Sequence, residues 1–232
     1  MHLKSMIIAV AATFALAAHG AQSTGPVVLK AAYLFDSRSG QLTQGGTVVV
    51  EGDKIVSIGG AAPANASVID LGDATLLPGF IDAHTHLDGQ FEKDYYKAFY
   101  DAMLRFPVEQ AHTAALYAKR TVEAGFTTVR NVGSSFYGDV GLREAIDNRH
   151  LEGPRIVTAA YSFGATGGHC DETYFPPSME EKNPYNADTP DEARRSVRGV
   201  RKYGAQVIKI CATGGDFSRN TEPGGQQLSL EE

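Results

Sequence analysis

Hydrophobic and polar residues follow two different rhythms along this chain, and the change comes near residue 79. Before it, β-branched runs such as "VVLKAAYLF" and "TVVVEGDKIVSIGG" are typical of short strands, the second folded into a hairpin at Glu51-Gly52-Asp53. No helix-length periodicity precedes about residue 100. The pattern therefore predicts a small β-domain over residues 21–78.

After residue 79, predicted strands alternate with predicted helices. Helical periodicity marks "PVEQAHTAALYAKRTVEAG", with Gly125 as its C-terminal stop, and "DVGLREAIDNRHLEG". A third helix, "TPDEARRSVRGVRKYGA", has Thr189 as its N-cap, Pro190 at its first position and Glu192 closing a capping box. The apolar strands between them are "FTTVRNVG", "PRIVTAAYSFG" and "QVIKICATGG". This alternation predicts an α/β fold with a parallel sheet covered by helices.

The N-terminus has the features of a secretory signal peptide over residues 1–20. Lys4 precedes an apolar run at residues 6–18 that is too short for a membrane span, and Ala18 and Gly20 occupy the −3 and −1 positions of a cleavage site. An N-terminal membrane anchor is the alternative. We expect an exported protein, periplasmic or secreted, with no membrane attachment after cleavage.

Charge and cysteine content narrow the classes of function. The formal net charge of −6 argues against a general nucleic-acid-binding surface. Export would allow Cys170 and Cys211 to be oxidised. Because two cysteines without C-x-x-C spacing do not form a disulfide framework, the sequence favours two free, half-buried thiols.

The segment "GFIDAHTHLDG" carries the first candidate chemistry. Side chains alternate along a strand, so Asp82, His84 and His86 share one face, at the strand end where a parallel β/α barrel has its active site. Two imidazoles in one cavity can bind a divalent cation. Structural histidines at a strand–loop junction are the alternative, and we favour that interpretation for His112 in a helix and His150 at a helix end.

Lys209 lies within the apolar run of "QVIKICATGG", near its C-terminal end. Burial of an ammonium is costly, and lysine is rarely buried without a partner. One interpretation is a lysine that extends its amine out of the barrel mouth. The other is a neutral amine that carries CO2 as a carbamate, an anion able to bridge two metal ions.

Four segments, in this order, resemble the metal-dependent amidohydrolase superfamily: "LLPGFIDAHTHLDG", "AGFTTVRNVG", "GPRIVTAAYSFGATGGHC" and "VRKYGAQVIKICATGG". Within it they are similar to the imidazolonepropionase-like branch, which includes secreted dipeptidases and an ochratoxin-hydrolysing enzyme. The resemblance implies a (β/α)8 TIM-type barrel joined to a small β-sandwich. Residues 79–232 would form the first half of the barrel, and residues 21–78 the N-terminal part of the sandwich.

The resemblance also implies a metal site and a reaction. His84 and His86 match first-strand ligands, and Lys209 matches a carbamylated lysine that bridges two divalent ions, with zinc as the expected metal. His169 matches a loop histidine near the substrate. A hydroxide between the ions would attack the amide carbonyl of a dipeptide or of an N-acyl amino acid such as ochratoxin. Cys170 departs from the pattern, because glycine is expected there.

Two further histidines and a catalytic aspartate are expected from later strands, so we expect this chain to be an N-terminal fragment that is inactive alone. A mononuclear hydrolase of cyclic amides, of the imidazolonepropionase type, is one alternative, although it needs no bridging carbamate. A non-catalytic secreted relative is the other. The expected partner is a small amide or dipeptide, and the sequence leaves a homo-oligomer open.

Overall fold

A computed structural model of the chain describes residues 25–90, 93–171, 173–179, 183–216 and 218–232. The chain divides between Pro78 and Gly79 into two units, at the position where the sequence pattern changes. The predicted signal peptide lies outside the described residues. Among the residues that are described, no helix is long and apolar enough to span a membrane.

The first unit is a five-stranded sheet built around β1 (Val27–Asp36). Strand β2 (Gln41–Glu51) pairs with β1 antiparallel and continues into β3 (Lys54–Ile58) through the predicted hairpin. The short strands β4 (Ser67–Asp70) and β5 (Thr75–Leu76) run parallel to β1. The hairpin and the strands predicted from the β-branched runs are therefore present.

The second unit contains a parallel sheet of β6 (Phe80–Thr85), β7 (Phe126–Asn131) and β8 (Arg155–Thr158) in that order. Strands β9 (Phe163–Gly164) and β10 (Ile210–Cys211) pair with each other, also in parallel.

The sequence pattern predicted a single strand over residues 154–164, whereas the structure has two separate strands there, β8 and β9. Ala160, between them, has a left-handed backbone with φ of 58°, so the chain turns after Thr158 and cannot continue as one strand. The peptide N–H of Val207 still donates to the carbonyl of Thr158, which joins the segment before β10 to the end of β8.

Four α-helices are described in this unit: α1 (Tyr95–Leu104), α2 (Pro107–Glu123), α3 (Gly138–Asp147) and α4 (Pro190–Lys202). The sequence pattern predicted the last three and missed α1. The Thr189 hydroxyl accepts the peptide N–H of Glu192, as the capping box requires. The carboxylate of Glu192 accepts from the peptide N–H of Asp188 instead of that of Thr189 itself.

The main core of the second unit lies between the three-stranded sheet and helices α2 and α3. Its buried members are Leu87, Ala114, Ala118, Val129, Leu142 and Ile156. Leu87 belongs to this core and follows His86 directly, so packing of the core fixes the backbone at the C-terminal end of β6.

The prediction of two free thiols is wrong, because Cys170 and Cys211 form a disulfide. Their Cα atoms are 5.7 Å apart, within the range that a disulfide spans. Pairing of β9 with β10 places Cys211 opposite Gly164, and the following loop returns Cys170 to the same place. No free cysteine occurs among the described residues.

Candidate metal centre

His84 and His86 lie at the C-terminal end of β6 with their rings close together. The ring centres are 5.6 Å apart and the planes are inclined by 58°. Two imidazoles on one tetrahedral zinc have ring centres roughly 5 Å apart, because each Zn–N bond is about 2.1 Å long. The rings are therefore close enough to share a divalent ion, and their role as metal ligands stays a prediction.

The imidazole of His86 is oriented by the backbone. Its Nδ1 lies 3.1 Å from the carbonyl oxygen of Gly133, which can only accept, so Nδ1 carries the proton and Nε2 keeps a free lone pair. A metal-binding histidine commonly donates its second nitrogen in this way. Gly133 has φ of 154°, and a Cβ there would lie 3.2 Å from Cε1 of His86, so glycine admits the ring.

Asn131, at the end of β7, lies beneath this arrangement and is completely buried. Its amide nitrogen donates to the carbonyl of Gly133 at 3.1 Å, and its amide oxygen accepts the peptide N–H of Leu87 at 2.8 Å. Asn131 therefore ties the residue that follows His86 to the carbonyl that orients its ring. Sequence reasoning missed Asn131, although a polar residue that ends an apolar strand was a usable signal.

Asp139 extends the buried polar network away from the histidines. Burial raises the pKa of its carboxyl group, while hydrogen bonds from the peptide N–H of Ala160 and from Asn131 act in the opposite direction. The bond from Ala160, at 3.0 Å, holds the left-handed residue between β8 and β9. Asp139 therefore connects Asn131 with the turn that separates those two strands.

The predicted lysine, Lys209, lies close enough to His84 to affect it electrostatically. Burial lowers the pKa of His84, and the positive charge of Lys209 lowers it further. Smaller contributions come from His86 and Arg130, whereas Asp82 raises the pKa. Lys209 therefore lies near His84, whose ring is close to that of His86.

Lys209 is half-buried and lies directly before β10, where its carbonyl accepts the peptide N–H of Phe163. Within the described ranges, no group of three or more His, Cys, Asp or Glu side chains converges as a metal site. The chemistry of the donors present still fits a metal, because two neutral imidazoles are suitable ligands and a carbamate on Lys209 would add an anionic one.

His169 lies in the loop that ends at the disulfide, and its side chain is exposed. Its peptide N–H donates to the side chain of Gln227, and Nδ1 contacts the Ser218 hydroxyl. A Cβ on Gly215 would lie 2.3 Å from the His169 ring, so the ring packs on bare backbone. The structure does not bring His169 to the histidine pair, and its role near a substrate stays a prediction.

A cavity of about 470 Å³, called here the His86 cavity, opens beside His86. Asp88 is half-buried in its wall and accepts hydrogen bonds from Ser134 at 2.9 Å and from Gln110 at 3.3 Å. The residues that line it are His86, Asp88, Gly133, Ser134, Ser135, Phe136, Tyr161, Ser162, Cys170, Asn183 and Pro184. His112, exposed on α2, and His150, exposed after α3, lie outside this wall.

Comparison with known proteins gives matches over most of the chain. Residues 75–232 match the amidohydrolase family. Ochratoxinase of Aspergillus niger is 29% identical over 173 residues, which are 68% of this chain and 35% of that protein. Imidazolonepropionase of Arthrobacter sp. (strain FB24) is 52% identical over 42 residues, or 17% of this chain and 10% of the relative.

Solved structures match over a longer stretch. A Xaa-Pro dipeptidase with methionine bound in its active site superposes with a TM-score of 0.79 and 32% identity, covering 89% of this chain and 52% of the dipeptidase. A prolidase complexed with N-methylphosphonate-L-proline gives a TM-score of 0.75 and 26% identity, covering 89% and 51%. The chain spans about half the length of these structures and about a third of ochratoxinase.

Proposed function

This chain belongs to the amidohydrolase family, and from that premise we propose that the protein of which it is a part hydrolyses an amide C–N bond in a dipeptide or an N-acyl amino acid. The predicted family and the predicted fold, part of a TIM-type barrel, are confirmed by the family match and by the superposed dipeptidase. The observation that carries the proposal is the pair of histidines with the ring of His86 oriented by Gly133.

The substrate class rests on the relatives. Two of the superposed structures are a Xaa-Pro dipeptidase that holds an amino acid in its active site and a prolidase that holds a proline derivative. Ochratoxinase supports a conjugate such as ochratoxin as the alternative amide. The shared feature is an amino acid on at least one side of the bond, and the His86 cavity of about 470 Å³ is large enough for a ligand of that class.

We assign His84, His86 and a carbamate on Lys209 as ligands for two divalent ions, with zinc as the expected metal. When bound, such ions lower the pKa of water and polarise a carbonyl group. The chain itself contributes orientation: Gly133 fixes the proton of His86 on Nδ1, and Asn131 holds the Gly133 carbonyl in place. This support keeps the Nε2 lone pair of His86 directed away from the backbone.

The location and partners follow from the same proposal. The signal-peptide pattern at residues 1–20 indicates export to the periplasm or the medium. The disulfide between Cys170 and Cys211 is compatible with such an oxidising compartment. We expect a small amide or dipeptide as the partner, without nucleic acid.

A mononuclear hydrolase of cyclic amides is the second candidate. The 52% identity to an imidazolonepropionase favours it, but only over 42 residues. The position of Lys209 near His84 favours the two-metal site instead, because a one-metal site has no use for a bridging carbamate.

The test is metal analysis of the full-length protein followed by a screen of dipeptides, N-acyl amino acids and imidazolonepropionate. We expect His84→Ala and His86→Ala to lose most bound metal and nearly all hydrolysis. His150→Ala, which changes an exposed histidine outside the cavity, should keep both. Full metal content and normal turnover in either His84→Ala or His86→Ala would contradict the proposal. Turnover of imidazolonepropionate alone would favour the second candidate.

A further inference from the structure

Two consecutive residues beside the His86 cavity have a left-handed backbone. Phe136 has φ of 54° and ψ of 25°, and Tyr137 has φ of 56° and ψ of 30°. Neither is glycine, and each costs about 1–2 kcal/mol relative to an ordinary conformation. Such a conformation persists only where the surrounding structure holds it.

The surroundings of this pair supply that support. The peptide N–H of Phe136 donates to the Tyr161 hydroxyl at 2.7 Å. The ring of Tyr137 makes edge contacts with three tyrosines, with ring centres 5.1–6.3 Å away: Tyr161, Tyr185 and Tyr203. The backbone is therefore fixed on one side by packing, and the Phe136 side chain is directed outwards with 61% of its surface exposed.

Phe136 forms one wall of a second cavity of about 290 Å³, between α2 and the Ser134–Gly138 segment. We call it the apolar recess, and its apolar lining consists of Pro107, Val108, Ala111, Ala114 and Phe136. The recess adjoins the His86 cavity, because Asp88, Ser134 and Phe136 line both. A ligand that lies beside His86 can therefore extend a side chain into the recess.

We propose that the apolar recess is a substrate subsite that takes an aromatic or large aliphatic side chain, with Phe136 as the residue that determines this specificity. The proposal rests on the proposed function, since it concerns the side chain of the amide that the protein cleaves. Val108 is 69% exposed and Phe136 is 61% exposed, so both offer apolar surface that a ligand can cover. Aromatic rings gain additional stability when they pack edge-to-face or offset against each other.

The mainly apolar lining of the recess disfavours a charged side chain as its occupant. A charged group placed against the five apolar residues would lose hydration, and the polar residues that line the recess but not the His86 cavity are Gln110 and His112. Asp88 and Ser134 lie at the border shared with the His86 cavity and already bond to each other. The recess is thus mainly apolar, with Asp88, Ser134 and Ser135 at the border that it shares with the His86 cavity.

The experiment compares the full-length, metal-loaded protein on three matched dipeptides: Ala-Ala, Phe-Ala and Ala-Phe. The wild type should cleave one of the two phenylalanine peptides about 10- to 100-fold more efficiently than Ala-Ala, judged by kcat/KM. Phe136→Ala should reduce this ratio, and Ala111→Phe, which fills the recess, should abolish it. Leu116→Phe makes a similar change on the same helix at a residue outside the recess lining and should preserve the ratio.

Equal loss on all three peptides in the recess variants would mean a structural role and would overturn the proposal, as would an unchanged ratio. A second measurement separates this inference from the proposed function: calorimetric titration of L-phenylalanine and L-alanine. If no peptide is cleaved, dipeptides are removed from the proposed function, and binding alone decides whether the subsite exists. Preferential binding of phenylalanine that Ala111→Phe removes supports the subsite, whereas equal binding of both amino acids refutes it.

Discussion

Asn131→Leu tests whether the buried amide beneath His86 supports both the fold and the metal site. The two side chains are similar in size, so the change removes hydrogen bonds and leaves a small cavity at most. In the native arrangement, Asn131 makes bonds of 2.8 Å with the peptide N–H of Leu87 and 3.1 Å with the carbonyl of Gly133. Its contacts with Thr85 and Asp139, at 3.4 and 3.5 Å, are at the limit of a hydrogen bond.

The expected cost follows from what each partner retains. The peptide N–H of Leu87 loses its acceptor in a buried place, which costs about 1–3 kcal/mol. The Gly133 carbonyl keeps the donor from His86, so its loss is about 1 kcal/mol, the net value of one hydrogen bond. The free energy of unfolding of the full-length protein should therefore fall by about 2–4 kcal/mol. The metal affinity should also fall, by about 10- to 100-fold, because the ring of His86 loses its support.

The assay is urea unfolding followed by circular dichroism, together with competition for metal by a chelator. Asn148→Leu is the matched control, since Asn148 is exposed at the end of α3 and its loss should change stability by less than about 0.5 kcal/mol. Equal stability and equal metal affinity in Asn131→Leu and Asn148→Leu would refute the reasoning. Loss of stability with unchanged metal affinity would leave Asn131 a role in the fold alone.

Three further predictions concern the loop, its disulfide and the isolated chain. Cys170→Ser should lower the free energy of unfolding by about 4 kcal/mol, because the disulfide closes a loop of 41 residues and so restricts the unfolded chain. Reductant should not destabilise this variant further. Two titratable thiols in the wild type would contradict the disulfide. His169→Ala should reduce turnover more than metal content, and metal loss equal to that of His86→Ala would make it a ligand. Residues 21–232 expressed alone should be poorly soluble and inactive, because Ile81 and Ile210 on the sheet strands are exposed. A soluble and active preparation of these residues would contradict this prediction.

The alternation of strands and helices was predictable because it rests on local periodicity. Helix α1 escaped prediction for a physical reason: Tyr96 and Tyr100, on the helix, are 83% and 57% exposed, so its apolar residues do not form a single buried stripe. The local signal was Asp94, whose carboxylate accepts the peptide N–H of Lys97 and caps the helix.

The candidate site was predictable only where it depends on the strand pattern. His84 and His86 share a face because strand residues alternate, and sequence alone was enough for that. The disulfide depends on the pairing of β9 with β10, which brings together residues 41 positions apart. The roles of Gly133 and Asn131 likewise depend on the meeting of β6 and β7, and no periodicity encodes which carbonyl an imidazole will reach.

The metal-to-chain ratio of the full-length protein, measured with and without bicarbonate during metal loading, tests the central claim most directly. We predict two divalent ions per chain and activity with bicarbonate, and poor metal loading and poor activity without it. Lys209→Ala should be inactive, should lose metal, and should be partly rescued by a short carboxylate that bridges in place of the carbamate. One ion per chain in fully active protein, with an unmodified amine on Lys209, would contradict the two-metal site.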